Sequence, residues 1–138
     1  MRTGGVRARV RPPRRALTAS LRAVHEGSAW VVIVGNALAG LWALGAWRWP
    51  LLRKPALWWF TAAVEIFVFV QVAMGVYLVA VEDIPAPEFH MFYGFLTIIA
   101  VGIIYSYRHQ MRHRLYQLYG LGGLFIMGLG LRALVVRT

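Results

Sequence analysis

The chain contains no cysteine among its 138 residues. Disulfides, thiol catalysis and thiolate-ligated zinc or iron–sulfur sites are therefore excluded. Acids are nearly as scarce, with only Glu26, Glu65, Glu82, Asp83 and Glu88. Charged residues of both signs make up 14% of the chain, against about 25% for an ordinary soluble domain. The shortage is balanced by a hydrophobic content of 59% and a mean hydropathy of +0.59. These apolar residues fall in long runs, which is the pattern of a membrane protein rather than of a large soluble core. The length leaves no room for a second domain of ordinary size.

The net charge of +10 suggests nucleic acid, but its placement argues against that. Seven of the fifteen basic residues lie in the first 22 positions, and most of the others lie between apolar runs. Basic loops flanking membrane segments account for this arrangement without a nucleic-acid partner.

Four spans are predicted, at about 28–47 (with a start as early as Ser20), 56–81, 88–107 and 115–136. Each has about 20 or more mainly apolar residues, enough to cross roughly 30 Å of hydrocarbon. Short connections make neighbouring spans antiparallel. The predicted fold is thus an all-α integral membrane protein, a four-helix transmembrane up-down bundle over 20–138, preceded by a basic, disordered tail at 1–19. Pro50 and Pro55 bracket the first connection, and Pro85 and Pro87 stand in the second, where they cannot continue a helix. Trp47, Trp49, Trp58, Trp59, Tyr105, Tyr107, Tyr116 and Tyr119 gather at one end as an aromatic belt.

Loop charge bears on orientation. Arg48, Arg53 and Lys54 flank the first connection, and Arg108, Arg112 and Arg114 lie in the third. The second has no basic residue and is flanked by Glu82, Asp83 and Glu88. The positive-inside rule places the two basic connections in the cytoplasm and both termini outside. The arginines of the tail point the other way. The expectation adopted is that 1–15, mostly Arg, Pro, Gly, Ala and Val, derives from an early start. Arg14-Arg15 and Ala37-Leu38-Ala39 resemble parts of a cleavable signal, but the apolar run continues to Trp47, too far for one. The expected location is a bacterial plasma membrane. A faint repeat, a His-led span followed by one carrying Met-Gly (Met74-Gly75, Met127-Gly128), suggests two halves related by an axis along the membrane normal.

His25 and His90 open the first and third spans, so both imidazoles fall at the same end of the bundle. Gly75, Gly94, Gly128 and Arg132 lie in the same half of the bilayer. Two imidazoles supply axial nitrogens for a non-covalent haem b, small residues admit a flat ring, and an arginine pairs with a propionate. The same residues also suit a structural reading, with glycines for helix packing and Arg132 snorkelling to the interface. His109 and His113 have i, i+4 spacing but sit among arginines with no carboxylate nearby, and read as a solvated loop.

Glu65 lies about ten residues into the second span, roughly 14 Å deep. An ionised acid facing lipid there costs about 2.5–3.5 kcal/mol, so Glu65 is expected to face the bundle, as a proton site, a quinone contact or a protonated partner of Tyr105, Tyr107 or Tyr119. Asn36 and Gln71 stand at equal depth when counted from His25 and Glu82. An interhelical hydrogen bond between them is expected, at about 0.6–2 kcal/mol.

The stretch Gln71-Val72-Ala73-Met74-Gly75, followed after a short polar loop by His90-Met91-Phe92-Tyr93-Gly94, resembles one four-helix half of the haem A synthase family and small cytochrome b561-like membrane proteins. The likeness covers about 25–136 as architecture and some twenty residues as motif. It implies that His90 ligates haem, with His25 its partner by position. The acid-x-x-His-Arg motif of haem A synthase is missing, since His25-Glu26 has the reverse order, and that family's paired ligands lie on even-numbered helices. Simple electron transfer or haem sensing is implied rather than haem synthesis, and the function expected is electron transfer with a quinol or a respiratory partner. An accessory subunit of a larger membrane assembly, or an oligomeric proton-coupled transporter using Glu65, are the alternatives.

Overall fold

In the computed structural model, which describes residues 12–137, the protein is an all-α four-helix bundle. The helices are α1 (Pro12–Arg48), α2 (Pro55–Ala80), α3 (Glu88–Tyr107) and α4 (Leu115–Val135), with single 3-10 turns at Pro50–Leu52 and Arg112–Arg114. All four helices are long and apolar enough to cross a membrane.

Local sequence explains the helix ends. Pro55 occupies the first turn of α2, where its missing N–H costs nothing. The Pro85–Pro87 stretch separates α2 from α3, and Glu88 complements the positive end of the α3 dipole. Arg48 closes α1 at its negative end.

Helix α1 begins much earlier than the apolar run suggests. Its 37 residues span about 55 Å, well beyond the hydrocarbon thickness. The 14–22 segment, Arg-Arg-Ala-Leu-Thr-Ala-Ser-Leu-Arg, is a good helix former of low hydropathy, so propensity extends the helix where hydropathy stops. A tail at 1–19 is thus helical from Pro12, and the rest of that expected disordered segment lies outside the described residues. Thr18 donates a 2.6 Å hydrogen bond to Glu82 in the α2–α3 connection, and Tyr77 donates one of 3.2 Å to the same carboxylate. The extension therefore projects past that connection.

The helices form a square in chain order, each packed on its two neighbours, with α1 and α3 on one diagonal. A central core draws on all four: Val32 from α1, Val68 from α2, Val101 and Ile104 from α3, Ile126 and Leu129 from α4. The α1–α4 seam is the most extensive and the α2–α3 seam the slightest. Glycine makes the first one close. A Cβ on Gly40 would stand 2.8 Å from the Gly120 carbonyl oxygen and 3.0 Å from the Leu124 nitrogen, so two backbones meet there. Large apolar side chains such as Trp30, Leu41, Ile66, Phe95, Ile103 and Phe125 cover the outside. A helix apolar all round suits a lipid-facing bundle.

The expected Asn36–Gln71 hydrogen bond is absent. Asn36 is buried and donates from Nδ2 to the Val32 carbonyl on its own helix, at 2.8 Å. Gln71 instead lies level with Ser28. Equal counting from His25 and Glu82 misplaced the pair because neither residue marks a helix end: α1 runs on to Pro12 and α2 stops at Ala80. The true register pairs Gly35 with Val64 and His25 with Gly75, leaving Gln71 about two turns nearer the acidic connection than Asn36.

Candidate functional site: a histidine pair across the bundle

His25 and His90 meet across the α1–α3 diagonal. Their ring centroids are 6.1 Å apart and the planes are inclined at 80°. Both residues are half-buried, at the end of the bundle closed by the acidic connection. They border a cavity of about 410 Å³ where the α2–α3 seam is slack.

Each ring is held differently. The Nδ1 of His90 lies 2.9 Å from the carbonyl oxygen of Ala133 on α4. A carbonyl only accepts, so Nδ1 is the donor, an arrangement that leaves Nε2 as the ring nitrogen free to face a ligand. His25 sets its ring edge against α2: a Cβ on Gly75 would meet its Cε1 at 3.0 Å and its Nε2 at 3.5 Å. The glycine makes room for the imidazole. The backbone of His25 is fixed as well. Gln71 donates from Nε2 to the His25 carbonyl at 2.7 Å, and Ser28 donates to Gln71 Oε1 at 2.6 Å. The Nδ1 of His25 is buried with no hydrogen-bond partner among the described residues, although buried ring nitrogens are ordinarily satisfied.

Of the other residues expected at this site, Gly75 and Gly94 border the cavity. Gly128 and Arg132 do not. They lie on the exposed side of α4, where Arg132 reaches the Tyr93 hydroxyl at 3.4 Å. The α4 face that does border the cavity carries Gly130, Ala133 and Leu134, at i, i+3 and i+4, with Arg137 just past the helix end. Counting depth placed Gly128 and Arg132 at the same end of the bundle as the histidines, but depth carries no information about rotation. The cations at the cavity are Arg22 and Arg137. Arg22 is there because α1 is helical so far upstream, and it pairs with Glu26 at 3.0 Å.

Among the described residues no group of three or more His, Asp or Glu side chains is placed to hold a metal ion. The pair therefore offers two nitrogens without a third protein ligand. That is too few for a structural zinc, and it is the number that a porphyrin iron leaves open. The separation fits as well: two imidazoles bonded to one metal at about 2 Å each have ring centres about 6 Å apart.

Glu65 and His109 with His113 stand away from this cavity. Glu65 is half-buried on α2, with Tyr119 in electrostatic reach, and makes no hydrogen bond or ion pair among the described residues. One turn earlier, Thr61 has a buried hydroxyl without a partner. His109 and His113 are exposed in the α3–α4 connection. At that end Trp58 packs against two tyrosines, inclined at 31° to Tyr116 and edge-on at 75° to Tyr119, with ring centroids 5.4 Å apart in each pair.

No family model, curated protein or solved structure matches the chain.

Proposed function

We propose that the protein is a small membrane b-type haem protein, with His25 and His90 as axial ligands, serving electron transfer to or from a quinol or a respiratory partner in a bacterial plasma membrane. The observation that carries the reading is the 6.1 Å separation of two histidine rings brought together from helices on opposite corners of the bundle. Haem, when bound, supplies a one-electron couple at its iron.

The residues of this chain have the tasks that such a group requires. Ala133 orients the His90 ring and fixes its tautomer, as the outer partner of a metal-bound imidazole does. Gln71 and Gly75 position His25 from α2. Gly94 leaves open space beside the pair, with nothing within 4 Å of an added Cβ. Arg22 and Arg137 are the cations at hand for carboxylates. Apolar residues such as Val68 and Val72 line the cavity and would keep water from a bound haem.

The test is optical. Full-length protein purified in mild detergent and supplied with haemin should show a Soret band, with sharp visible bands on reduction that mark two nitrogen ligands. His25→Ala and His90→Ala should each lose or shift these bands. A colourless protein after haemin addition would overturn the reading and leave the accessory-subunit alternative in its place. A wild-type spectrum from both variants would also end it.

A further inference from the structure

The opposite end of the bundle carries a second feature. Six cations, Arg48, Arg53, Lys54, Arg108, Arg112 and Arg114, flank the α1–α2 and α3–α4 connections, and no acid accompanies them. Glu26, Glu82, Asp83 and Glu88 belong to the other end, and Glu65 is inside α2. Two of the six have internal partners. Arg53 donates to the Ala46 carbonyl at 2.9 Å, and Arg108 lies 3.6 Å from the centre of the Tyr105 ring. The side chains of Arg48, Lys54, Arg112 and Arg114 make no hydrogen bond or ion pair among the described residues. Their counter-charge must come from outside the chain.

One of these free cations stands at the head of a groove. A depression of about 430 Å³ runs between α3 and α4, from Arg114 and Gln117 past Gly122 to Phe125, with Ala100 and Ile103 on its other wall. Arg114 to Phe125 is about 16 Å of helix, close to the roughly 15 Å depth of one leaflet's hydrocarbon. Polarity changes once along it, from a cation and an amide at the head to an apolar floor. Gly122 sets that floor low, since a side chain there would meet Ile104.

We propose that this groove holds an anionic phospholipid of the membrane, with its phosphate against Arg114 and one acyl chain between α3 and α4. The single change of polarity matches a headgroup followed by a chain. The want of any acid at this end favours a headgroup of net negative charge over a zwitterionic one, whose ammonium would find no partner. The site is independent of the histidine pair and lies at the opposite end of the bundle.

Native mass spectrometry of the full chain, released from micelles holding equal amounts of phosphatidylglycerol and phosphatidylcholine with matched acyl chains, tests this. Phosphatidylglycerol should be retained in preference. Arg114→Gln should lower its retention about fivefold. Arg48→Gln, the same charge change outside the groove, should leave retention unchanged. Ile103→Trp, on an exposed position, should fill the groove and lower retention of both lipids. Equal retention of the two lipids by the wild type would overturn the proposal, as would equal loss in Arg48→Gln and Arg114→Gln, which marks diffuse surface charge. Retention unaffected by Ile103→Trp would remove the groove.

Discussion

Two glycines at the histidine cavity differ in what they permit, and the difference is testable. Gly75 is in contact with His25, whereas Gly94 faces open space. A Gly75→Val side chain would have to displace the imidazole, because the ring edge already lies at the closest distance that a real Cβ tolerates. Most haem binding should be lost with helix content unchanged by circular dichroism. Gly94→Ala adds a methyl group that meets no protein atom, so without haem its thermal midpoint should match the wild type to within about 0.5 kcal/mol of stability. An unchanged Soret maximum and unchanged haem affinity in Gly75→Val would remove His25 from the axial position. The shared end of the two histidines was legible in the sequence, because His90 opens α3, His25 stands at the start of the apolar run within α1, and the two helices run the same way. The Ala133 carbonyl that sets the tautomer of His90 was not, since a backbone acceptor leaves no trace in residue identity.

At the scale of the helices, the number and type of elements followed from hydropathy, because runs of about 20 apolar residues admit few alternatives. Rotation and register did not follow. Gly128 and Gly130 are equivalent by composition, and only the packing of α4 against α1, where Gly130 meets Ile33, turns Gly130 inward to the border of the cavity. The start of α1 was hidden for the opposite reason, since helix propensity without hydropathy gives no membrane signal. The seam between α1 and α4 gives the sharpest contrast among the glycines. Gly40→Ala places a Cβ against two backbone atoms of α4 that cannot rotate away, so the helices must separate. The expected cost is about 1–3 kcal/mol, as for overpacking in a tight core. Gly128→Ala meets nothing within 4 Å and should cost no more than about 0.5 kcal/mol. Unfolding in mixed micelles of rising dodecyl sulfate content measures both. Equal stability of the two variants would mean that the α1–α4 backbones are not in contact.

For the molecule as a whole, the distribution of charge makes a prediction about direction. The end that carries the α1–α2 and α3–α4 connections has cations and no acids. The other end is mixed: Arg14, Arg15, Arg22 and Arg137 lie near Glu26, Glu82, Asp83 and Glu88. The α1 extension thus brings arginines to the end that the acidic connection would send outward, and the two signals compete. The positive-inside effect is strongest for short loops beside the spans, and Asp and Glu contribute little to it. The connections with Arg48, Arg53, Lys54, Arg108, Arg112 and Arg114 are short and flank two spans each, whereas Arg14 and Arg15 stand on a helix that projects past the bundle. On that argument the basic connections are predicted to face the cytoplasm and the histidine cavity to open near the outer surface. The absence of cysteine makes the measurement clean, because any single cysteine introduced is the only thiol. In intact cells, Ala86→Cys in the acidic connection should react with a membrane-impermeant maleimide, and Gln110→Cys in the basic connection should react only after the membrane is opened. The reverse pattern would place the arginines of α1 in control of topology and put the histidine pair on the cytoplasmic side. Its redox partner would then have to be sought among cytoplasmic donors and quinols of the inner leaflet.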